Sequence, residues 1–210
     1  MVTSTQQHWI ESRYGPLFAQ SWTPANAKPT PLILLHGALG CVSLWAGLPQ
    51  SLAEATQHRV IAYDRPGYGR SAGLSSLLPD SFIDDEPLAS FTDILDHFQV
   101  WDFAVFGQCV GAAMAIGCAV TYPRACKAVI TEPTLHSKDA LLNSHDLHKH
   151  HGDKTAWVLR NHAKLQANYP TTLEIRSPLL TLCDDNSTLG GNLGYNTLNA
   201  VSQFLQSLDC

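Results

Sequence analysis

The sequence has few charged residues and no excess of positive charge. Charged residues make up 15% of the 210 positions, and 18 acidic residues against 13 lysines and arginines give a formal net charge of −5. A chain without a lysine- or arginine-rich run offers no basic face to nucleic acid and no electrostatic attraction to an anionic membrane. We therefore expect no nucleic acid and no membrane among the partners of this protein.

An apolar leader, a bilayer-length apolar run and paired cysteines are also missing. The first residues, Met1 to Gln7, are polar, and no apolar stretch is long enough to span a bilayer. The six cysteines are irregularly spaced and form no CxxC pair: Cys41, Cys109, Cys118, Cys126, Cys183 and Cys210. This pattern argues against a cysteine zinc site and favours reduced, mostly buried thiols in a cytoplasmic protein.

Apolar residues are plentiful, at 45%, and they occur in short runs separated by helix-like segments. The runs predict strands buried on both faces of a parallel sheet: Pro31–His36, Val60–Tyr63, Phe103–Phe106, Cys126–Ile130 and Leu179–Cys183. The segments between and after them predict helices: Leu44–Ala55, Phe82–Phe98, Val110–Thr121 and Leu198–Leu208. This alternation indicates a doubly wound α/β sheet, preceded by a hairpin over His8–Trp22 that turns at Gly15 and Pro16.

The stretch from Thr134 to Pro170 differs, because it is polar, rich in histidine and free of strand signals. We interpret residues 1–210 as one domain in which 134–170 is a short helical insertion over the sheet, hereafter called the cap. Four clustered histidines lie in it: His145, His148, His150 and His151. Such clusters can bind metal, but a solvated loop is the simpler interpretation, so we predict no metal site.

The main chemical motif is Gly107-Gln108-Cys109-Val110-Gly111, which joins a predicted strand to a predicted helix. A strand, a sharp turn and a helix are the setting in which a nucleophile is held in a strained conformation, and small flanking residues let strand and helix approach. A thiol at a helix N-terminus is stabilised as the thiolate by the helix dipole. The alternative is a buried cysteine without chemistry, which is the commonest state of a free cysteine.

Two further motifs follow predicted strands. One is His36-Gly37-Ala38-Leu39-Gly40, in which we expect His36 to hydrogen-bond within its own loop rather than act as a base. The other runs from Tyr63 to Ser71 (YDRPGYGRS), where alternating proline and glycine predict a tight, ordered loop with a scaffolding role.

Together these blocks resemble the α/β-hydrolase superfamily, in its esterase and lipase-like branch, with cysteine in place of the usual serine. The resemblance implies that Cys109 is the nucleophile and that the N–H groups of Ala38 and Val110 form an oxyanion hole. It also implies a catalytic acid after the strand Leu179–Cys183, for which we favour Asp185 over Asp184. The superfamily hosts many chemistries, so the resemblance specifies the fold better than the substrate.

The sequence departs from that family where the catalytic histidine is expected. No histidine follows His162, and the segment Asn186–Asn196 is too short for a last strand and a histidine loop. Three alternatives stay open: His136 at the end of a neighbouring strand replaces the lost base, the thiolate works without a base, or the site is inactive.

We predict a hydrolase or acyltransferase that acts on an ester, lactone or thioester through Cys109 and needs no cofactor. The alternative is a catalytically degenerate protein that binds a small apolar ligand in the same pocket. The strand Leu179–Cys183 also lacks a covering neighbour, and an open apolar sheet edge invites pairing, so we expect a homodimer.

Overall fold

A mixed sheet organises the part of the chain that the structure describes. The computed structural model covers residues 2–74, 76–132, 144–167, 175–182 and 193–208. Its strands are β1 (Thr3–Ile10), β2 (Leu17–Pro24), β3 (Lys28–Leu35), β4 (His58–Tyr63), β5 (Phe103–Gln108), β6 (Cys126–Glu132) and β7 (Leu179–Thr181). Within these residues the strand order is β1-β2-β4-β3-β5-β6-β7. Strands β1 and β2 are antiparallel to their neighbours, whereas β4, β3, β5, β6 and β7 run parallel.

Both faces of the central strands are buried, which is why these strands are continuous apolar runs. Alternate side chains point to opposite faces of a strand. In β3, Ile33 and Leu35 belong to one core cluster, whereas Leu32 and Leu34 belong to the cluster on the other face. Strand β5 divides its side chains in the same way, and burial on both faces is what a doubly wound sheet requires.

Helices cover both faces of the sheet. They are α1 (Leu48–Thr56), α2 (Phe82–Asp85), α3 (Ser90–Phe98), α4 (Val110–Thr121), α5 (Ser144–His151), α6 (Thr155–Ala167) and α7 (Leu193–Ser207). Buried side chains of α2, α3 and α4 belong to the first cluster, and those of α1 and α7 belong to the second. None of the helices in the described ranges is long and apolar enough to cross a bilayer. The predicted doubly wound α/β sheet is confirmed by this arrangement.

Most predicted elements are present with shifted bounds. The N-terminal hairpin is confirmed, with Ile10 opposite Leu17 at its turn. The helix predicted over Leu44–Ala55 starts later, at Leu48, and is preceded by a 3₁₀ turn at Val42–Trp45.

The single helix predicted over Phe82–Phe98 was wrong. Pro87 lies in a 3₁₀ turn at Glu86–Leu88 that separates α2 from α3, because proline cannot supply a backbone donor to a continuous helix. The break leaves the Leu88 side chain 63% exposed to solvent, and it buries Glu86 and Pro87.

The described part of the cap is helical and packs on two loops of the sheet. The Trp157 indole N–H donates to the Ser76 carbonyl at 2.7 Å, and its ring meets Tyr68 at 5.4 Å between centroids. The His151 side chain is buried, with Nε2 3.0 Å from the Leu39 carbonyl and Nδ1 accepting from the Gly69 N–H at 3.1 Å. The solvated loop expected for the histidine cluster was wrong: it lies in α5, and only His148 among its described imidazoles is fully exposed.

Candidate active site

Cys109 occupies the turn between β5 and α4 in a strained backbone conformation. Its φ is 53° and its ψ is −121°, values that an L-residue adopts only when its surroundings enforce them. The Cys109 N–H donates to the Glu132 carbonyl at 2.8 Å, and the Gln108 side-chain amide donates to the Glu132 carboxylate at 3.0 Å. The end of β6 therefore holds the turn that presents the thiol, and Cys109 is partly exposed.

Two glycines make this turn possible through close backbone approach. A Cβ at Gly107 would lie 1.9 Å from the Gly111 carbonyl oxygen, and one at Gly111 would lie 2.2 Å from the Leu35 carbonyl oxygen. No side chain fits at either position without moving the backbone. Glycine is thus required two residues before and two residues after Cys109 so that β3, β5 and α4 can pack closely together.

The turn that follows β3 lies against Cys109. A Cβ at Gly37 would be 3.2 Å from the Cys109 Cβ, so the Gly37–Ala38 backbone borders the thiol. Ala38 and Val110 are buried, and neither N–H donates a hydrogen bond to any described residue. Since buried N–H groups are nearly always paired, two unpaired amides beside a thiol are suited to receive an acceptor from a ligand.

Arg65 fixes the shape of this turn. Its Nη2 donates to the Gly37 carbonyl at 2.9 Å, and its backbone N–H donates to His36 Nε2 at 3.2 Å. His36 Nδ1 in turn lies 2.9 Å from the same carbonyl. Burial, followed by the charge of Arg65, lowers the pKa of His36 well below its usual value, so the ring stays neutral. The prediction that His36 acts within its own loop is confirmed.

Asp64 braces the loop after β4 in a comparable way. Its Oδ1 accepts from the Val42 N–H at 2.6 Å and its Oδ2 from the Arg70 N–H at 2.7 Å. Burial raises the pKa of Asp64 to about 6, although both hydrogen bonds oppose the rise. The loop is therefore tight and ordered, as its proline and glycine pattern predicted.

The same loop brings a tyrosine to the site that the sequence did not single out. Tyr68 is 1% exposed, its ring lies 5.0 Å from the Arg65 guanidinium carbon, and its hydroxyl has no partner among the described residues. Burial raises the pKa of Tyr68 to about 12, and the proximity of Cys109 adds to the rise. Such a hydroxyl can donate a hydrogen bond but cannot serve as a base near neutral pH. The sequence signal that could have identified Tyr68 is its position just after the parallel strand β4, because the carboxyl ends of parallel strands lie at the same edge of the sheet.

The remaining predicted site residues are not brought together by the described structure. His136 and Asp185 lie outside the described residues, as do Asp184 and the neighbouring Cys183. Within the described ranges, no imidazole nitrogen hydrogen-bonds to Cys109, and no cluster of three or more histidine, cysteine or acidic side chains could hold a metal ion.

The other described cysteines are buried in packed surroundings. Cys41, Cys118 and Cys126 are all free thiols. Burial raises the pKa of Cys41 to about 11, and it also raises the pKa values of Cys118 and Cys126. Among the described thiols, Cys109 alone combines partial exposure with a helix N-terminus.

Comparison with known families agrees with this geometry. The family model for the alpha/beta hydrolase fold matches residues 30–190, a span that includes most of β3 and all of β5, α4 and β6. The chain belongs to the α/β-hydrolase family. A similar curated protein is the proline iminopeptidase of Lactobacillus crispatus, 28% identical over 125 residues, which are 59% of this chain and 42% of that protein. Another is the sn-1-specific diacylglycerol lipase ABHD11 of Danio rerio, 27% identical over 94 residues, 45% of this chain and 28% of the lipase.

A solved structure gives wider coverage of this α/β-hydrolase. The predicted CIB-like hydrolase from Thermoplasma acidophilum matches 98% of this chain and 100% of its own, with a TM-score of 0.63 and 16% identity. At that identity the likeness concerns the fold alone. The matches to the curated relatives span less than half of their length. Hydrolytic enzymes of several kinds therefore share this scaffold.

Proposed function

We propose that this α/β-hydrolase hydrolyses or transfers acyl groups of esters, lactones or thioesters, with Cys109 as the nucleophile. The observation that carries the proposal is the strained backbone of Cys109 at the N-terminus of α4, beside two buried amides that have no acceptor among the described residues. Strained backbone conformations are frequent at functional sites, and here the strain is combined with the neighbouring amides.

The first step would be attack of the Cys109 thiolate on the substrate carbonyl carbon. The carbonyl oxygen takes the developing negative charge and accepts hydrogen bonds from the Ala38 and Val110 N–H groups. Collapse of this intermediate expels the leaving group and leaves a thioester on Cys109. Water, or an acceptor alcohol or thiol, then releases the acyl group and regenerates the thiol.

Two arrangements would produce the Cys109 thiolate, and they differ in whether a base takes the proton of the thiol. We propose His136, oriented by Asp185, as one arrangement; the other is a thiolate that the helix dipole stabilises without a base. The second arrangement has no acid for the leaving group, so only weakly basic leaving groups depart. It predicts turnover of thioesters and aryl esters and little turnover of alkyl esters or amides.

The proposal is tested with an aryl ester and an aryl thioester. Cys109→Ala should abolish turnover, while Cys118→Ala, which changes a buried thiol on the same helix, should retain it. Activity that persists in Cys109→Ala would contradict the assignment. Cys109→Ser and His136→Ala separate the two arrangements: a serine is active only with a base, and loss of His136 matters only if it is that base.

A second candidate function is binding of a small apolar ligand without chemistry. It is favoured by the absence of an imidazole hydrogen-bonded to Cys109 within the described ranges and by an apolar cavity close to Tyr68. Suppose that iodoacetamide labels Cys109 of the wild-type protein but the protein turns over neither the aryl ester nor the aryl thioester. This result would support ligand binding over the enzyme.

A further inference from the structure

A cavity lies beside the site, between the loop after β4 and the segment that contains α2. Its volume is about 90 Å³. Much of the wall is apolar, from Leu74, Leu78, Phe82 and Ala89. An apolar cavity with a few convergent polar groups is the usual form of a small-molecule site.

Three residues that line this cavity each have a buried polar atom without a partner among the described residues. These atoms are Arg65 Nε, the Tyr68 hydroxyl and Ser90 Oγ. The three residues are 3%, 1% and 1% exposed, so bulk water does not satisfy them. A buried polar group without a hydrogen bond is costly, and three in one small wall imply a ligand that accepts from them.

The charge of the cavity indicates what kind of acceptor this is. The buried Arg65 guanidinium has no described carboxylate oxygen within ion-pair distance, although its charge acts on the Glu86 carboxyl and opposes the effect of burial on the pKa of that group. Two carboxyl groups line the wall: Asp85 accepts from the Ser81 hydroxyl at 2.6 Å, and Glu86 is hydrogen-bonded to the Tyr63 hydroxyl. Burial raises the pKa of Glu86 to about 7, so this group can be neutral when an anion is bound.

We propose that this cavity binds a small carboxylate, whose two oxygens accept hydrogen bonds from Arg65 Nε, the Tyr68 hydroxyl and Ser90 Oγ. A carboxylate offers about four acceptor positions, enough for all three donors, and its charge pairs with Arg65. An amide oxygen or a hydroxyl offers fewer acceptor positions and no charge.

The cavity is connected to the thiol through residues already described. Arg65 holds the Gly37 carbonyl next to Cys109, and Tyr68 lies close enough to Cys109 for the two groups to interact electrostatically. Where the proposed acyl chemistry holds, and this step rests on it, the cavity takes a carboxylate on the part of the substrate that does not react. Binding of the carboxylate itself does not require that chemistry.

Butyrate is the probe for this site, with butyramide and 1-butanol as neutral probes of similar size. Calorimetric titration of wild-type protein should show one butyrate site with a Kd on the order of 1 mM, as expected for so small a ligand. Butyramide and 1-butanol should bind at least about tenfold more weakly, because they lack the charge that pairs with Arg65.

Two variants remove unpaired donors and break no hydrogen bond within the described protein: Tyr68→Phe and Ser90→Ala. Each should weaken butyrate binding about tenfold and leave the urea unfolding midpoint unchanged or higher. Ser202→Ala is the matched control, because it removes another buried, unpaired hydroxyl, on α7 and outside the cavity wall. It should leave butyrate affinity unchanged.

Cys109→Ala completes the test, because it removes the thiol chemistry and should bind butyrate as the wild type does. Loss of binding in this variant would place butyrate at the thiol and overturn the proposal. Absence of a saturable butyrate site, equal affinity for butyramide, or equal binding by Tyr68→Phe, Ser90→Ala and Ser202→Ala would overturn it as well. Turnover without butyrate binding would refute the carboxylate site alone, and binding without turnover would refute only the acyl chemistry.

Discussion

The contact between α4 and β3 makes a sharp prediction for Gly111→Ala. The new Cβ would lie 2.2 Å from the Leu35 carbonyl oxygen, 2.8 Å from the Leu35 carbonyl carbon and 2.9 Å from the His36 carbonyl oxygen. All three neighbours are backbone atoms, so none can rotate away. Helix α4 must move away from β3 by about an ångström to restore an ordinary contact, which disrupts the packing around the Cys109 turn.

The magnitude follows from two opposing effects. Overpacking that shifts backbone costs about 1–3 kcal/mol and occasionally more, and three backbone contacts this short place Gly111→Ala at the upper end of that range. Replacing glycine by alanine inside a helix gains about 1 kcal/mol. We therefore expect Gly111→Ala to lower the free energy of unfolding by about 2 kcal/mol or more. Gly117→Ala is the control on the same helix, because its Cβ would meet only the Pro87 side chain, at 3.2 Å. Gly117→Ala has the same advantage of alanine over glycine in helix propensity, and it should change the free energy of unfolding by less than about 1 kcal/mol.

Urea denaturation followed by circular dichroism measures both variants. The free energy is extrapolated to zero denaturant, and equal slopes confirm that the unfolded states are comparable. Gly111→Ala should also label more slowly with iodoacetamide at Cys109, since the turn that presents the thiol is displaced. If Gly111→Ala and Gly117→Ala have the same stability within about 0.5 kcal/mol, the close approach of α4 to β3 does not exist as described.

Three further predictions concern other parts of the molecule. Burial lowers the pKa of His151, so folding opposes its protonation and the docking of α5 should weaken as the pH falls below about 6.5. The amides of α5 should therefore be less protected from hydrogen exchange at pH 5.5 than at pH 7.5. His151→Ala should remove this difference in protection, whereas His148→Ala should keep it. Burial raises the pKa of Glu86 from 4.5 to about 7, so the stability of the wild-type protein falls as the pH rises through this range. Urea denaturation should show that Glu86→Gln increases the free energy of unfolding by on the order of 3 kcal/mol at pH 8 and leaves it unchanged near pH 4. Strand β7 exposes Leu179 at one edge of the described sheet, and the Leu182 N–H, rather than the Thr181 N–H, faces β6. We expect a dimer mass by light scattering, and Thr181→Pro should reduce this mass without changing the circular dichroism spectrum if the homodimer forms at this edge. A monomer mass for the wild-type protein would refute the homodimer.

Much of the fold could be predicted from the sequence because its signals are local. Continuous apolar runs predicted the buried strands, and Gly107 and Gly111 around Cys109 predicted a close strand-to-helix turn, which the backbone of Cys109 confirms. The helix break at Pro87 was missed because periodicity of the flanking apolar residues outweighed a single proline. The proline decides the local structure through its missing donor, and that determines which neighbours are buried.

The cavity could not be predicted because its polar wall comes from distant parts of the chain. Arg65 and Tyr68 follow β4, whereas Ser90 starts α3, and only the folded sheet brings them together. The role of His151 was missed for a similar reason: a histidine cluster in a polar segment is interpreted as solvated unless its hydrogen-bond partners, the Leu39 carbonyl and the Gly69 N–H, are known.

The imidazole of His151 joins the cap helix α5 to both loops that border the thiol, through Leu39 beside Ala38 and through Gly69 beside Tyr68. Docking of the helix and the conformation of these loops are therefore linked equilibria. A ligand that favours the loop conformation seen here strengthens the attachment of α5, and attachment of α5 raises the affinity for that ligand by the same factor. Solvent conditions that release the helix would thus reduce affinity at the thiol without changing any residue that touches the ligand.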